Sequence, residues 1–230
     1  MKFPPEKVDE VLKLTTKLYP AWSGFDDPKF HEDEIGYKQD AVKLFNETLN
    51  EEAFAELIKQ GDWEEIKQRL IALGGKTNLL FRGVPKSGDM SILYVDDVDL
   101  SLLFPQVFEL LFGDGNASAR LEAYSQFAIQ NELPNKWTFP TYLLFFAHPD
   151  SEFFIKPGVA KWFLNFVGSK TKLGSKPVGT IYDELKELVN ELRLSFPEEY
   201  EIRDMIDLQS LIWVTKMQHD KESKLSLIHI

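Results

Sequence analysis

Apolar residues recur at helical spacing along most of this chain, and glycine or proline interrupts the pattern at intervals. Val8, Val11 and Leu18, for example, share one helical face, with Pro5 ahead of them and Pro20 behind. A period near 3.6 residues favours amphipathic α-helix, and the interruptions mark helix ends. The chain is therefore predicted to be mainly α, a globular bundle of about nine helices.

Two helices in the first third of the chain have well-marked ends. The segment EEAFAELIKQ stops at Gly61, and DWEEIKQRLIAL stops at Gly74–Gly75. Glycine just past the last periodic residue is the expected end of a helix. Asp62 is a natural N-cap for the second helix, because its carboxylate can accept a hydrogen bond from a free backbone N–H group.

Two further helices are expected near the middle of the fold. The segment FPTYLLFFA is apolar on nearly all sides, which is typical of a helix buried on its whole circumference. Another helix is predicted from Phe104 to Leu111, with Pro105 tolerated in its first turn and Gly113 as its stop.

One stretch favours β structure, and it also suggests how the chain is divided. In residues 78–95, two apolar runs flank GVPKSGD, whose glycine, proline and serine residues favour a loop. The fold is thus expected to contain at most one short β-hairpin, near 78–95. We expect an N-terminal helical subdomain over residues 1–75, packed as one globular unit against a C-terminal helical subdomain over residues 76–224.

The composition excludes several classes of site. The 230 residues are 43% hydrophobic and include 18 Phe but no Cys, so the chain can bury a large core yet cannot form disulfides, zinc–thiolate sites or a Cys nucleophile. No apolar run reaches the roughly 18–20 residues of a membrane span, and the start shows no signal peptide. A cytoplasmic protein without a membrane partner, a metal or another cofactor is expected. The net charge of −11 repels nucleic acid on average, so any phosphate-binding site must be a local exception.

The last residues, 225–230, read LSLIHI. This string resembles the translation, in one frame, of a transposon end sequence used to prepare sequencing libraries. We therefore expect a non-native tail from a metagenomic assembly, and a natural chain that continues past Lys224.

The string ILYVDD, residues 92–97, resembles the Tyr-x-Asp-Asp hairpin that holds catalytic Mg²⁺ in reverse transcriptases. Such a site also needs an antiparallel sheet and a third carboxylate from an upstream strand, and the sequence indicates neither. We interpret Asp96, Asp97 or Asp99 instead as the N-cap of the helix that follows.

Three other short motifs favour structural interpretations. Gly74-Gly75-Lys76-Thr77 imitates the end of a P-loop, but the first glycine of that motif is missing and the preceding segment is helical. His31 and Glu34 lie one helical turn apart, but no second histidine is nearby, and acidic residues before a helix ordinarily complement its dipole. His148 ends the buried helix, where the helix dipole favours it.

A local reversal of charge is the strongest functional signal in the sequence. The segment 156–176 contains no acidic residue and five lysines, namely Lys156, Lys161, Lys170, Lys172 and Lys176. Its second half, GSKTKLGSK, is a glycine- and serine-rich loop whose N–H groups and lysines suit phosphate oxygens. The alternative is a solvated loop whose lysines only aid solubility.

Residues 133–163 resemble helix-hairpin-helix DNA glycosylases, in which a Leu-Pro hairpin leads into a buried helix, a loop and another helix. Leu133 and Pro134 follow that pattern. However, Asn135, Lys136 and Trp137 stand where the family has hairpin glycines, and Lys156-Pro157 stands near the position of its catalytic aspartate. The resemblance therefore implies related structure without base excision.

Several strings resemble uncharacterised bacterial helical proteins associated with DNA-handling or restriction-type systems. They are EIGYK, KTNLLF, the motif W-x-x-P-T-Y-L-L-F with x-P-D-x-x-x-F-x-K-P, and DMIDLQSLIWV. We therefore expect a non-catalytic binding or accessory module of such a system, with a protein or nucleic-acid partner and no identified catalytic residue. The alternative is an enzyme acting on nucleic acid or a phosphorylated substrate, with Lys156 and Asp150 in its site.

Overall fold

The computed structural model describes residues 3–96 and 98–228, and within these ranges the chain is helical with no β-strand. The short α2 runs through a π-helical turn, His31–Ile35, into α3, so the described residues form ten helices in space. The mainly α prediction of about nine helices is confirmed. The helices are α1 Pro5–Leu18, α2 Pro28–Phe30, α3 Gly36–Thr48, α4 Glu51–Gln60, α5 Trp63–Gly75, α6 Leu100–Phe112, α7 Ala117–Gln130, α8 Thr138–Ala147, α9 Pro157–Phe166, α10 Gly179–Ser195 and α11 Met205–Ile228.

Local capping explains several of these ends. Helix α4 ends at Gly61, whose φ of +70° lies in the left-handed region that glycine adopts without strain. Asp62 caps α5, because its Oδ1 accepts a hydrogen bond of 3.3 Å from the Glu65 amide. Asp99 caps α6 in the same way, accepting from the Ser101 amide at 2.9 Å. The capping interpretation of the aspartate string is thereby confirmed for Asp99, and Asp97 lies outside the described residues.

One predicted helix boundary is wrong. Helix α6 begins one turn before Phe104, since Asp99 supplies the cap, and Pro105 therefore lies inside the helix. Helix α5 ends at Gly75, as predicted, but both glycines are helical and Lys76 is its C-cap residue. Gly74 is needed for close packing, because a Cβ atom there would lie 2.2 Å from Sδ of the buried Met90.

Helix α8 lies at the centre of the core. Every residue from Thr138 to Phe146 is buried, as its apolar circumference predicts, and the helix packs against α3 and α6. Around this centre, α1 lies along α11, α7 packs on α6 and α10, and α9 packs on α11. The buried apolar side chains form one cluster that extends across the predicted boundary at residues 75–76. The division into two subdomains stays a prediction.

The segment 78–95 forms an irregular loop followed by a 3₁₀ turn, Ser91–Tyr94. The prediction allowed at most one short β-hairpin there, and the segment does not form one. Phe81 and Asp89 form a hydrogen-bonded pair across the loop. The Asp89 amide donates to the Phe81 carbonyl at 2.8 Å, and the Phe81 amide donates to Oδ2 of Asp89 at 2.7 Å. Because a side chain takes the place of the second backbone acceptor, a β-ladder does not propagate from this pair.

None of the helices within the described residues is both long enough and apolar enough to span a membrane.

Candidate phosphate-binding cleft

The five lysines of segment 156–176 do not form a single basic surface. Lys156 points into the protein, while Lys161 and Lys172 line one surface cavity. Lys170 lines a second cavity, on the side of α10 that carries Glu184 and Glu187. Lys176 is exposed and lines neither of these cavities.

Lys156 is held by two hydrogen bonds across the loop 78–90. Its Nζ donates at 2.8 Å to the Leu79 carbonyl and at 2.8 Å to Oδ2 of Asp89. The two charged side chains are only 32% and 16% exposed, so this ion pair is shielded from water. Lys156 therefore has its charge balanced by Asp89 at a partly buried position.

Asp89 organises this region, and sequence reasoning missed it. Besides Lys156 and the Phe81 amide, its carboxylate accepts a hydrogen bond of 3.1 Å from Oγ1 of Thr138 at the start of α8. Lys136 secures the same loop by donating to the Ser87 and Gly88 carbonyls at 2.7 and 2.8 Å. The partners of Asp89 lie far away in sequence, so only its position in a Ser-Gly-Asp turn could have drawn attention to it.

Lys161 and Lys172 meet because the chain reverses direction after α9. Lys161 and Asn165 lie on one face of α9, four residues apart. At Gly168 the φ of +70° and two hydrogen bonds, Gly168 N to Asn165 O and Ser169 N to Leu164 O, form a Schellman C-cap. The following loop then returns alongside the helix and brings Lys172 to the same cavity.

We call this cavity the Lys161–Lys172 cleft. It has a volume of about 230 Å³. Its lining consists of Lys161, Leu164, Asn165, Thr171, Lys172 and Leu173. The hydroxyl of Thr171 donates to Oε2 of Glu184 at 2.6 Å, which fixes one wall of the cleft. Two ammonium groups and a carboxamide remain available to a ligand.

The two lysines of the cleft are not paired with a carboxylate in the part of the chain that the structure describes. Across the described residues, neither Lys161 nor Lys172 forms an ion pair or a side-chain hydrogen bond, and the same holds for Lys170 and Lys176. Lys156 is the exception within the segment. The pairs Lys17–Glu222, Lys29–Asp33 and Lys186–Glu152 show that other lysines of this acidic chain do find partners.

The loop that carries these lysines is anchored at its far end. The Gly174 carbonyl accepts a hydrogen bond of 3.0 Å from Nε1 of the fully buried Trp137. The Pro177 carbonyl accepts one of 2.9 Å from Oγ of Ser125. Both ends of the loop are therefore fixed, at Gly168 and at residues 174–177, and the cleft has a defined shape.

The residues of the enzymatic alternative are not brought together. Asp150 is exposed and does not line the cavity that contains Lys156. The other candidates make structural contacts: His148 Nε2 lies 2.7 Å from the Leu111 carbonyl, and His31 Nε2 lies 3.1 Å from Oε1 of Gln39. The part of the chain that the structure describes contains no cluster of three or more His, Asp or Glu side chains suited to a metal.

Neither a family model, nor a curated protein, nor a solved structure matches this chain. The resemblances based on its short motifs therefore stay predictions.

Proposed function

We propose that this protein is a non-catalytic helical module that binds nucleic acid by contacting backbone phosphates in the Lys161–Lys172 cleft. The observation that carries the proposal is a pair of lysines that form no ion pair among the described residues and line one cavity, in a chain of net charge −11. A role as accessory module of a bacterial DNA-related system would fit such binding and is part of the proposal.

Phosphate fits the chemistry of the cleft better than a carboxylate-bearing small molecule. Two ammonium groups are point charges with several donors each, and they suit a group with several acceptor oxygens. The carboxamide of Asn165 can donate to the same group. Neighbouring phosphates of a strand offer more acceptor oxygens than a single carboxylate and can contact both lysines.

Solubility alone explains the geometry less well. A lysine that only aids solubility needs an exposed position, but it needs neither a neighbouring lysine nor a shaped cavity. Here Gly168 and the anchors at Gly174 and Pro177 fix the loop so that Lys172 lies beside α9. A fixed position lowers the entropy cost of binding.

The test is fluorescence anisotropy with single- and double-stranded oligonucleotides across a salt series. The variant Lys161→Ala/Lys172→Ala is compared with Lys76→Ala/Lys221→Ala, in which two exposed lysines without ion pairs are removed elsewhere. Both variants lose two charges, so a difference between them reports the cleft and not the net charge.

We expect the cleft variant to bind more weakly and to show a shallower dependence of log K on log salt concentration. Each lost contact should reduce that slope by about 0.9 for duplex DNA and about 0.7 for a single strand. The control variant should keep the slope of the unaltered protein. Equal slopes in the two variants, or no binding at low salt by the unaltered protein, would contradict the proposal.

A further inference from the structure

Among the described residues, the positive charge of the Lys161–Lys172 cleft does not continue into a basic track. Towards the start of α9, Lys156 is already paired with Asp89, whose Oδ2 lies 2.8 Å from its Nζ. On the loop side, Thr171 forms part of the cleft wall, and its hydroxyl donates at 2.6 Å to Oε2 of Glu184. The cleft is therefore bounded along the chain by a balanced lysine and by a carboxylate.

The other lysines of the segment that form no ion pair among the described residues do not extend the cleft. Lys170 lines a separate cavity, which Glu184 and Glu187 also line. Lys176 comes after the anchor at Gly174 and lines neither cavity. A strand that passed through the cleft would therefore meet two cations at one point, with a carboxylate behind the adjoining wall.

Two positive charges at one point match a group that carries two negative charges. An internal phosphodiester of a strand carries one negative charge. A phosphomonoester carries about 1.5 to 2 negative charges at pH 7 and has three acceptor oxygens. One phosphomonoester can therefore balance Lys161 and Lys172 together, whereas internal phosphates must bring two neighbours into the same cavity to do so.

The lining of the cleft suits such a group. Lys161, Asn165 and Lys172 are all exposed, so their donors are accessible to a ligand from solvent. The buried Leu164 and Leu173 add apolar surface beside the two charges. Apolar surroundings lower the effective dielectric and strengthen the attraction between the ammonium groups and a phosphate. The carboxamide of Asn165 can donate to a further phosphate oxygen.

We propose that the cleft binds a phosphomonoester and, within nucleic acid, prefers the terminal phosphate of a strand to its internal phosphodiesters. The inference rests on the proposed function and narrows it to the recognition of phosphorylated strand ends. Lys161 and Lys172 both donate to the one terminal phosphate, and Asn165 donates to the same group.

The experiment compares three single-stranded oligonucleotides of one sequence by fluorescence anisotropy with the full chain. They differ only at the 5′ end, which carries a hydroxyl, a phosphate or the methyl ester of that phosphate, and the fluorophore is attached at the opposite end. A second set carries the same three groups at the 3′ end. The methyl ester keeps the phosphate but has one negative charge, as an internal phosphodiester has.

We expect the phosphate-terminated strand of at least one set to bind at least fivefold more tightly than the strands with the hydroxyl and the methyl ester. Those two should agree within twofold. Equal binding of the phosphate and its methyl ester at both ends would overturn the proposal without any variant having to fold.

Lysine variants then locate the preference. In Lys161→Ala/Lys172→Ala the gain from the terminal phosphate should fall to within twofold, whereas the control Lys76→Ala/Lys221→Ala should keep it. Both variants lose two charges. A gain that survives in the cleft variant would refute the assignment to this cavity.

An added carboxylate tests the role of Asn165. The change Asn165→Asp keeps the size of the side chain but places a negative charge beside the phosphate, so the gain should be lost. Asn46→Asp adds the same charge at an exposed position of α3 and should keep the gain. Equal behaviour of the two variants would exclude Asn165 from the site.

Thymidine 5′-monophosphate distinguishes a strand end from a free phosphomonoester. It should displace the phosphorylated oligonucleotide, and thymidine should not. If the ligand is a strand end, displacement should require at least tenfold more mononucleotide than unlabelled phosphorylated oligonucleotide, because the strand adds backbone contacts. If the ligand is a free phosphomonoester, the two should compete alike. Displacement by thymidine would overturn the role of the phosphate.

The failure of this inference and the failure of the proposed function give different results. The salt dependence of the hydroxyl-terminated strand tests the backbone contacts, and the gain from the terminal phosphate tests the preference for ends. A salt-dependent strand without a gain would overturn the preference alone. A gain without binding of the hydroxyl-terminated strand would overturn the backbone contacts and support the phosphomonoester site.

Discussion

Among single residues, the buried Lys38 is the most unusual. Its side chain is fully buried, and its Nζ donates at 2.7 Å to the Glu34 carbonyl and at 2.7 Å to Oγ of Ser210 on α11. The Glu34 carboxylate lies 3.5 Å away. Burial lowers the pKa of Lys38 to about 8, although Glu34, Asp207 and Asp204 oppose that shift. Glu34 lies in the π-helical turn that precedes α3, and Ser210 of α11 also donates to its carbonyl. Lys38, which contacts both residues, therefore links α3 to α11.

The lowered pKa of Lys38 predicts a rise of stability with pH. Between about pH 8 and 10.5 the unfolded chain binds the lysine proton while the folded chain does not, so the free energy of unfolding increases as the pH rises. We expect a gain on the order of 1–3 kcal/mol in the unaltered protein relative to Lys38→Met. Urea unfolding of both proteins at pH 7.5, 8.5 and 9.5 measures this difference.

The comparison should stop below pH 10. Burial raises the pKa of Tyr37, Tyr124 and Tyr142 above the ordinary tyrosine value, so the unfolded chain loses those protons first and stability falls there. The tyrosines contribute equally to the stability of both proteins, so the difference between the two free energies of unfolding reports Lys38 alone. Parallel pH curves for the two proteins would contradict the prediction.

At the scale of elements, the loop 78–90 has little regular structure of its own. Phe81 and Val84 are exposed, and the loop is held to the helices by Asp89 and by Lys136. Asp89 alone connects the two arms of the loop, the start of α8 and Lys156. Leu80 and Met90 anchor the two ends of the loop in the core, whereas the exposed part between them depends on a few polar contacts.

Replacing Asp89 should loosen this loop. In Asp89→Ala, Lys156 and the Phe81 amide lose an acceptor in a shielded place, which we expect to cost about 2–4 kcal/mol of stability. Limited trypsin digestion should also cut faster after Arg82 and Lys86, because local opening exposes the loop. Chemical unfolding and the digestion rate at these two sites measure the two effects.

Asp96→Ala is the matched control for Asp89→Ala. Asp96 pairs with Lys86, and these side chains are 78% and 68% exposed, so their ion pair is screened by water. We expect a change within about 0.5 kcal/mol and an unchanged digestion rate. If both aspartate variants behave alike, the organising role of Asp89 is wrong.

For the whole molecule, the continuous core is the decisive feature. In the first 75 residues, α3 packs on α8 and both α4 and α5 pack on α6, while α1 lies along α11. Each of these contacts crosses from the predicted N-terminal subdomain to the C-terminal one. The N-terminal helices therefore bury their apolar faces mainly against later parts of the chain.

This arrangement predicts a single cooperative unfolding transition. In a denaturant titration followed by hydrogen exchange, the core amides of α5 and α8 should report the same free energy of unfolding. Residues 1–75 expressed alone should show little helix by circular dichroism, because they lack the surfaces that cover them. Two separate transitions, or a folded 1–75 fragment, would contradict this prediction.

Much of the fold could be predicted because it depends on neighbours in sequence. The ends at Gly61, Asp62 and Asp99 rest on caps within about four residues, and the central position of α8 follows from its apolar circumference. Gly74 shows the limit of such reasoning. Its sequence context is that of a helix stop, but the structure uses it to admit the side chain of Met90.

The candidate sites could be predicted only in part, for the same physical reason. The sequence by itself determined that the chain is helical and that residues 156–176 carry positive charge without acidic neighbours. Only the tertiary structure decided that Lys156 binds Asp89 and that Lys161 and Lys172 share a cleft. Helix periodicity and charge are properties of local sequence, whereas the direction in which a side chain points depends on the packing of elements that the chain brings together from a distance.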